Sequence, residues 1–278
     1  MFYTACHANI NRDAGGIVMK ILTALTALLF SSSPSADATT LNNMLQSGVV
    51  NGDITQVKHA LKKGADVNSR DKWHRTPLID AANFGRYEIA VLLIKHGADV
   101  NSADPRKRTP LSEAVSHGHQ KVVELLLKHM ADRKVVDEDG RNLLMLGCAD
   151  RHRSIVILLL KEGGIDLKQR DLQGMTVLMH AAAGGDIELV RLFLSTGADI
   201  HARDNQGRTA LMIAAKGKEL ENDDEAIQLD VVKLLLAHKA DPTETDSAGK
   251  NALDHAKEGD LFMGHRYVNK SIIKLLGG

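Results

Sequence analysis

The sequence is poor in aromatic residues and has no excess of either charge. Phenylalanine, tyrosine and tryptophan make up 3% of the 278 residues, whereas hydrophobic residues as a group make up 44%. A core must therefore be built from aliphatic side chains. The 35 basic and 35 acidic residues give a formal net charge of zero. This balance argues against a general binder of nucleic acid or of anionic membranes.

Cysteine is also scarce, and no pattern typical of a metal site or a catalytic centre occurs. Cys6 and Cys148 are the two cysteines. Cys148 occupies a small-residue position of an apolar stretch, which favours a buried, inert thiol over a reactive one. The histidines lack the His-Glu-x-x-His spacing, and neither a nucleophile motif nor a phosphate loop is present. We therefore expect no enzyme activity, no metal and no cofactor.

A related phrase returns along the chain at a fixed interval. It reads GADVNSRDKWHRTPL from residue 64, GADVNSADPRKRTPL from residue 97 and GADIHARDNQGRTAL from residue 197. Thr76 and Pro77 suit the cap and the first position of a helix, and Gly85 breaks that helix before a second apolar stretch. The aspartates that open successive units are 33 or 34 residues apart: Asp71, Asp104, Asp137, Asp171 and Asp204.

A period of this length, with a turn followed by two helices, resembles the ankyrin repeat. The resemblance implies an all-α solenoid of helix-turn-helix units with short β-turn fingers, in which stacked units share one core. We interpret residues 39–278 as about seven units. The first, 39–70, and the last, which opens at Asp246, act as caps. No second domain is expected.

The N-terminal residues 19–38 have the pattern of a secretory signal peptide. Lys20 precedes an apolar run over 21–30 that is too short to span a bilayer, and Ala36 and Ala38 form an Ala-x-Ala ending. Cleavage after Ala38 or Ala36 would leave no membrane anchor and would remove Cys6, so that no intramolecular disulfide is possible. Residues 1–18 are interpreted as a mis-assigned start. The pattern predicts a periplasmic or secreted protein.

The resemblance also implies a function, which is to bind another protein without transforming it. In this family a partner is gripped by the fingers after each opening aspartate and by the exposed side of the first helices. We expect a monomer that binds a protein and no nucleic acid. The predicted partner-binding residues are Lys72, Trp73, His74, Arg75, Phe84, Arg106, Lys107, Arg108, His117 and Arg141.

Two fingers depart from the family pattern. Later fingers have a glycine at the tip, whereas His74 and Lys107 occupy that position in the first two full repeats. Where a turn requires positive φ, a non-glycine residue costs about 1 kcal/mol, which suggests that these side chains are used. With Trp73 they predict binding to an acidic surface with an apolar notch. The alternative is a solvated turn with Trp73 resting on the neighbouring finger.

Several roles remain open at the level of sequence. The leading one is a scaffold or protector of an envelope protein; the alternatives are a periplasmic inhibitor or immunity protein against a toxic enzyme, and a secreted effector aimed at a host protein. An acidic insertion at 218–226 and a stretched segment at 259–267 fit either binding loops or lengthened turns.

Two further expectations concern stability. Asn142 replaces the Thr-Pro start in the fourth unit, which predicts that this unit has the weakest helix cap. His180 and His255 stand one place later than the family histidine, so their hydrogen bonds cannot be assumed.

Overall fold

The computed structural model describes residues 36–217, 224–262 and 265–277. Within these ranges it contains helices and one two-stranded hairpin. The elements are α1 (Ala36–Asn51), α2 (Ile54–Lys62), α3 (Pro77–Asn83), α4 (Tyr87–Lys95), α5 (Pro110–Ser116), α6 (Gln120–Lys128), α7 (Leu143–Ala149), α8 (Arg153–Glu162), α9 (Val177–Gly184), α10 (Ile187–Ser195), α11 (Ala210–Lys216), α12 (Asp224–Ala237), α13 (Ala252–Glu258), β1 (Asp260–Phe262), β2 (His265–Tyr267) and α14 (Lys270–Leu275).

The helices stack in two layers. The odd-numbered helices α1 to α13 form the inner layer, in which each contacts the next, and the even-numbered helices pack behind them. Each unit thus consists of one inner and one outer helix. The predicted all-α ankyrin solenoid is confirmed, and a short hairpin is added in the last unit.

One aliphatic core runs through the stack. It extends as a single cluster from Leu45 to Ile272, and Phe193 is its largest fully buried side chain. Small residues such as Ala81 and Ala82 are fully buried on the inner layer, where they let neighbouring helices approach closely. The scarcity of aromatic residues in the sequence is therefore matched by a core of leucine, isoleucine, valine and alanine.

The inner helices begin at side-chain caps. Thr76 Oγ1 accepts a hydrogen bond from Ile79 N at 3.4 Å, and Pro77 follows at the first helical position. In the fourth unit Asn142 Oδ1 accepts from Met145 N at 3.1 Å, and Asn142 Nδ2 donates to Asp166 O. The expectation that this unit is the most weakly capped is wrong, because asparagine caps a helix at least as well as threonine.

The stretched segment of the last unit folds into the hairpin. Strands β1 and β2 pair antiparallel, with Asp260 opposite Tyr267 and Phe262 opposite His265. The acidic insertion predicted in the sixth unit falls largely outside the described residues, as does the predicted signal peptide up to residue 35. The predicted cleavage position Ala38 lies in the first turn of α1. Among the described helices, none is both long enough and apolar enough to cross a membrane.

Candidate functional site

Six fingers project between the helix pairs, and each is built on its opening aspartate. In the first, Asp71 Oδ1 accepts hydrogen bonds from the backbone N–H groups of Trp73 and Arg75, both at 2.8 Å. The same two bonds form in every finger, so the turn is fixed by one carboxylate oxygen. The fingers are finger 1 (71–75), finger 2 (104–108), finger 3 (137–141), finger 4 (171–175), finger 5 (204–208) and finger 6 (246–250).

The second oxygen of each aspartate has a partner of one of two kinds. In four fingers it pairs with the arginine four residues later, at 2.6 to 3.2 Å. Those arginines are Arg75, Arg108, Arg141 and Arg208. Met175 and Lys250 occupy the arginine position in fingers 4 and 6. There His180 and His255 bond the aspartate instead, through Nε2 at 2.8 and 2.9 Å.

This exchange explains the two displaced histidines. A histidine nine residues after the aspartate stands in for the missing arginine four residues after it. The sequence contains a signal of this exchange, because fingers 4 and 6 both lack the arginine and both have the later histidine. Comparing each histidine with the family histidine position alone does not reveal it. His180 and His255 thus act as parts of the turn.

The predicted site residues divide into paired and exposed groups. Arg75, Arg108 and Arg141 are half-buried and neutralised by the aspartate of their own finger. The remaining predicted residues are exposed: Lys72, Trp73, His74, Phe84, Arg106, Lys107 and His117. The three arginines belong structurally to the turns, so the positive charge accessible to a partner comes from the exposed group.

Trp73 is the most distinctive exposed side chain. Its accessible fraction is 56%, and Lys72 Nζ lies 4.1 Å from the ring centroid. The guanidinium of Arg75 lies 4.8 Å from the same centroid, so two cations hold the indole by cation–π contacts. The ring therefore has a defined position while much of its surface remains exposed.

Two carboxyl groups lie buried behind the first two fingers. Arg75 Nη1 is 2.8 Å from Asp80 Oδ1, and Gln46 Nε2 donates to the other oxygen. Burial raises the pKa of Asp80, and the Arg75 charge opposes that shift. Glu113, 4.0 Å from Arg108, has its pKa raised by burial in the same way. Sequence reasoning missed both groups, whose position on an inner helix predicts burial only once the repeat is aligned.

The tips of all six fingers have positive φ. His74 has φ of 62° and Lys107 has φ of 61°, whereas the glycines of fingers 3 to 6 lie between 76° and 78°. The turn thus has positive φ at both positions, which is the condition for the expected cost of a non-glycine residue. Fingers 1 and 2 therefore place a side chain in a strained conformation where the other four place none.

A ladder of backbone hydrogen bonds joins fingers 3 to 6. Leu172 N donates to Asp139 O at 2.8 Å, Asn205 N donates to Gln173 O at 2.9 Å, and Ser247 N donates to Gln206 O at 2.9 Å. The equivalent donor of finger 2 would be residue 105, which is a proline without an N–H. Through residues 71–142, all within the described part of the chain, no such bond joins fingers 1, 2 and 3.

The ladder and the tip glycines are linked. A Cβ on Gly174 would lie 2.8 Å from Asn205 N, and one on Gly207 would lie 2.9 Å from Ser247 N. At these two tips the hydrogen-bonded neighbour leaves no space for a side chain, whereas a Cβ on Gly140 would lie 3.3 Å from Leu172 N. Where the ladder is absent, His74 and Lys107 fit, and a groove of about 580 Å³ opens between fingers 1 and 2.

Several further histidines bond backbone carbonyls. His96 and His238 face the last carbonyls of their helices through Nδ1, at 2.9 and 3.0 Å. His117 Nδ1 bonds Glu113 O at 3.0 Å. His119 and His152 reach back to the preceding unit, where Nε2 bonds the carbonyl of the inner helix.

The remaining chemistry is that of a packed repeat. Cys148 is fully buried, and burial raises the pKa of its thiol, in agreement with the predicted inert role. Within the described ranges, no group of histidine, cysteine and acidic side chains is arranged to hold a metal ion.

Comparison with known proteins agrees with this architecture. The family described as "Ankyrin repeats (3 copies)" matches residues 22–104, 44–137, 101–171, 144–246 and 178–270. A search of curated proteins found no similar sequence. Ankyrin repeats generally mediate protein–protein interaction, and the family is typically non-enzymatic. From the matched length and the stacked helix pairs, the chain belongs to the ankyrin repeat family.

Proposed function

We propose that this protein is a non-enzymatic binding module that acts outside the cytoplasm and holds an acidic surface of a protein partner. The observation that carries the proposal is one exposed cluster on the first two fingers. This cluster, the basic edge, comprises Lys72, Trp73, His74, Arg106 and Lys107, all of which are exposed.

The basic edge is the part of the finger row with positive charge available to a partner. Among the residues that the structure describes, no acidic side chain lies within ion-pair distance of Lys72 or Lys107. Arg106 lies 3.8 Å from Glu138, with both side chains well exposed. By contrast, fingers 4 and 5 present Leu172, Gln173 and other uncharged tips. An acidic partner would therefore be drawn to one end of the solenoid, and its association should weaken as salt increases.

The apolar part of the edge favours a specific contact over general charge attraction. Trp73 on finger 1 and Phe84 after the inner helix α3 are both exposed large side chains. Tryptophan and arginine are enriched among the residues that dominate binding energy, where a single truncation can cost about 2 kcal/mol or more. A partner surface with an apolar element surrounded by carboxylates fits this arrangement.

Action outside the cytoplasm rests on the signal-peptide pattern of residues 19–38. The repeats follow this segment, and we propose that the exported product is a monomeric binding module whose partner lies in the same compartment. Cell fractionation with N-terminal sequencing of the mature protein tests this part. A product that starts near residue 37 or 39 in the exported fraction supports it, and an uncleaved cytoplasmic product contradicts it.

The binding proposal is tested by photo-crosslinking in the producing cells. A photoreactive amino acid is placed at Trp73 and, as a matched control, at Val91, which is exposed on the outer helix α4. We expect one dominant protein to be trapped from position 73 alone. The double charge reversal K72E/K107E should remove that product. Equal, diffuse labelling from both positions would contradict the proposed binding face.

A further inference from the structure

We propose that the partner inserts an apolar side chain, flanked by acidic residues, into the groove between fingers 1 and 2. This inference rests on the proposed function and states what the basic edge recognises. It specifies where on the basic edge the partner binds and which side chains the partner uses. The inference is based on the absence of backbone hydrogen bonds between fingers 1 and 2.

The groove lies where the backbone ladder is absent, between fingers 1 and 2. Pro105 has no N–H to donate to finger 1, and His74 places a side chain at a tip where the laddered fingers have glycine. Each change alone disfavours the close approach seen at Gly174 and Gly207. Together they keep the tips of fingers 1 and 2 apart.

The base of the groove is nevertheless closed. Arg70 Nη1 donates to His74 O at 2.7 Å and to Ala103 O at 2.9 Å, and so ties finger 1 to the start of finger 2. Arg170 and Arg203 make the equivalent pair of bonds within the laddered fingers. Fingers 1 and 2 thus share the arginine bridge of the laddered fingers and lack only the backbone bond, and the groove between them forms a recess.

The apolar part of the recess wall consists of two groups: finger 1 contributes the Trp73 indole, and finger 2 contributes the Pro105 ring. Arg106, which also lines the recess, and Lys107 at the tip of finger 2 give the rim positive charge, and both are exposed. The floor is already neutral, because Arg75 and Arg108 are paired with the aspartates of their own turns. An apolar side chain suits the walls, and carboxylates beside it suit the rim.

The test uses a synthetic peptide and the single tryptophan of the chain as reporter. The probe is a heptapeptide with a central leucine, two glutamates on each side and a glycine at each end. Nuclear magnetic resonance of the Trp73 indole N–H follows its titration into the protein. We expect a saturable shift, which should be lost when the leucine is replaced by serine or the glutamates by lysines.

Two variants remove the recess in different ways. The double variant H74G/P105N supplies the glycine and the N–H of the laddered fingers, and protection of the residue 105 amide from exchange shows that the fingers have closed. The variant P105F instead fills the recess with a ring. We expect either variant to weaken peptide binding about tenfold or more. The matched control is A248N on finger 6, which should leave the affinity unchanged.

The outcomes separate this inference from the proposed function. If P105F binds the acidic peptide as tightly as the unaltered protein, insertion is wrong, although binding by the basic edge can stand. If the indole signal moves on dilution of the protein alone, a second copy occupies the groove, and the inference is overturned. Failure of the proposed function would appear separately, as the absence of a specific crosslink from position 73.

Discussion

Fingers 1 and 2 differ from fingers 3 to 6 in three linked properties. The later fingers have a glycine tip and are joined by backbone hydrogen bonds, whereas the first two have His74 and Lys107 at the tip and lack those bonds. Exposed positive charge is also concentrated on the first two. All six fingers have the same turn, in which the opening aspartate accepts two backbone hydrogen bonds. The two groups therefore differ in how neighbouring fingers contact each other.

This comparison shows why a fingertip glycine is needed. Positive φ alone costs a non-glycine residue roughly 1–2 kcal/mol, which His74 and Lys107 tolerate. At Gly174 and Gly207 the hydrogen-bonded backbone of the next finger adds a steric requirement that no side chain meets. At His74 and Lys107, where the tip has a side chain, the ladder is open, and we propose that a partner enters there.

The largest effect is expected from G174A. Its Cβ would meet Asn205 N at 2.8 Å and Asn205 Oδ1 at 2.4 Å, in addition to the cost of positive φ. We expect the variant to lose about 3 kcal/mol of unfolding free energy, measured by urea denaturation. G249A is the matched control, since it has φ of 76° but no atom within 4 Å of the added Cβ. It should lose about 1 kcal/mol. Equal losses would show that the neighbouring finger does not contribute.

The next effect concerns the exchange of arginine for histidine. H180L leaves the second oxygen of the buried Asp171 without its partner, which should cost about 2 kcal/mol of unfolding free energy. Finger 3 has Arg141 with Leu146 at the equivalent positions, so M175R/H180L should recover most of the loss. Urea denaturation of the two variants tests this. No recovery in the double variant would show that arginine and histidine are not equivalent in this turn.

A smaller effect of opposite sign is expected at the open fingers. H74G removes a non-glycine residue from φ of 62° but also makes the unfolded chain more flexible. The balance should be a gain of about 0.5–1 kcal/mol in unfolding free energy. Denaturation of H74G alongside G174A gives the comparison directly. A loss of stability in H74G would mean that the side chain makes a contact that outweighs the backbone strain.

The smallest expected effect depends on pH. Burial lowers the pKa of His180, although its hydrogen bond to Asp171 acts in the opposite direction, and Arg141 and Asp137 also act on the ring. The unfolded chain then binds the proton more tightly, so this contribution to stability is complete above the ordinary value of 6.5 and declines as pH falls towards the lowered value. As pH falls from 6.5 towards the lowered pKa, the unfolding free energy of the unaltered protein should decrease relative to that of H180L. A constant difference would contradict the lowered pKa.

Much of the fold was predictable from sequence because repetition makes the signal redundant. The helix start at Thr76–Pro77, the second apolar stretch and the closing glycine each recur, so one unit supports the reading of the next. The positive φ at His74 followed from aligning it with later glycines. The capping of α7 was mispredicted, since Asn142 was treated as a missing threonine although its side chain accepts the same hydrogen bond.

The candidate site could be predicted only in part from the sequence. Lys72, Trp73 and Lys107 could be picked out as exposed tips. The neutralisation of Arg75, Arg108 and Arg141 depends on the rotation of each side chain towards its own aspartate, which residue type does not specify. The missing ladder depends on the distance between units, and its signals in the sequence were Pro105 and the non-glycine tips His74 and Lys107.

Backbone amide hydrogen exchange tests the central claim most directly, because it reports the ladder bond by bond and needs no partner. The amides of Leu172, Asn205 and Ser247 donate to the preceding finger and should exchange slowly. The amide of Glu138, at the equivalent position of finger 3, should exchange much faster. Comparable protection at all four amides would mean that the ladder extends to finger 2, and would contradict the claim that a side chain at the Lys107 tip goes with an open ladder.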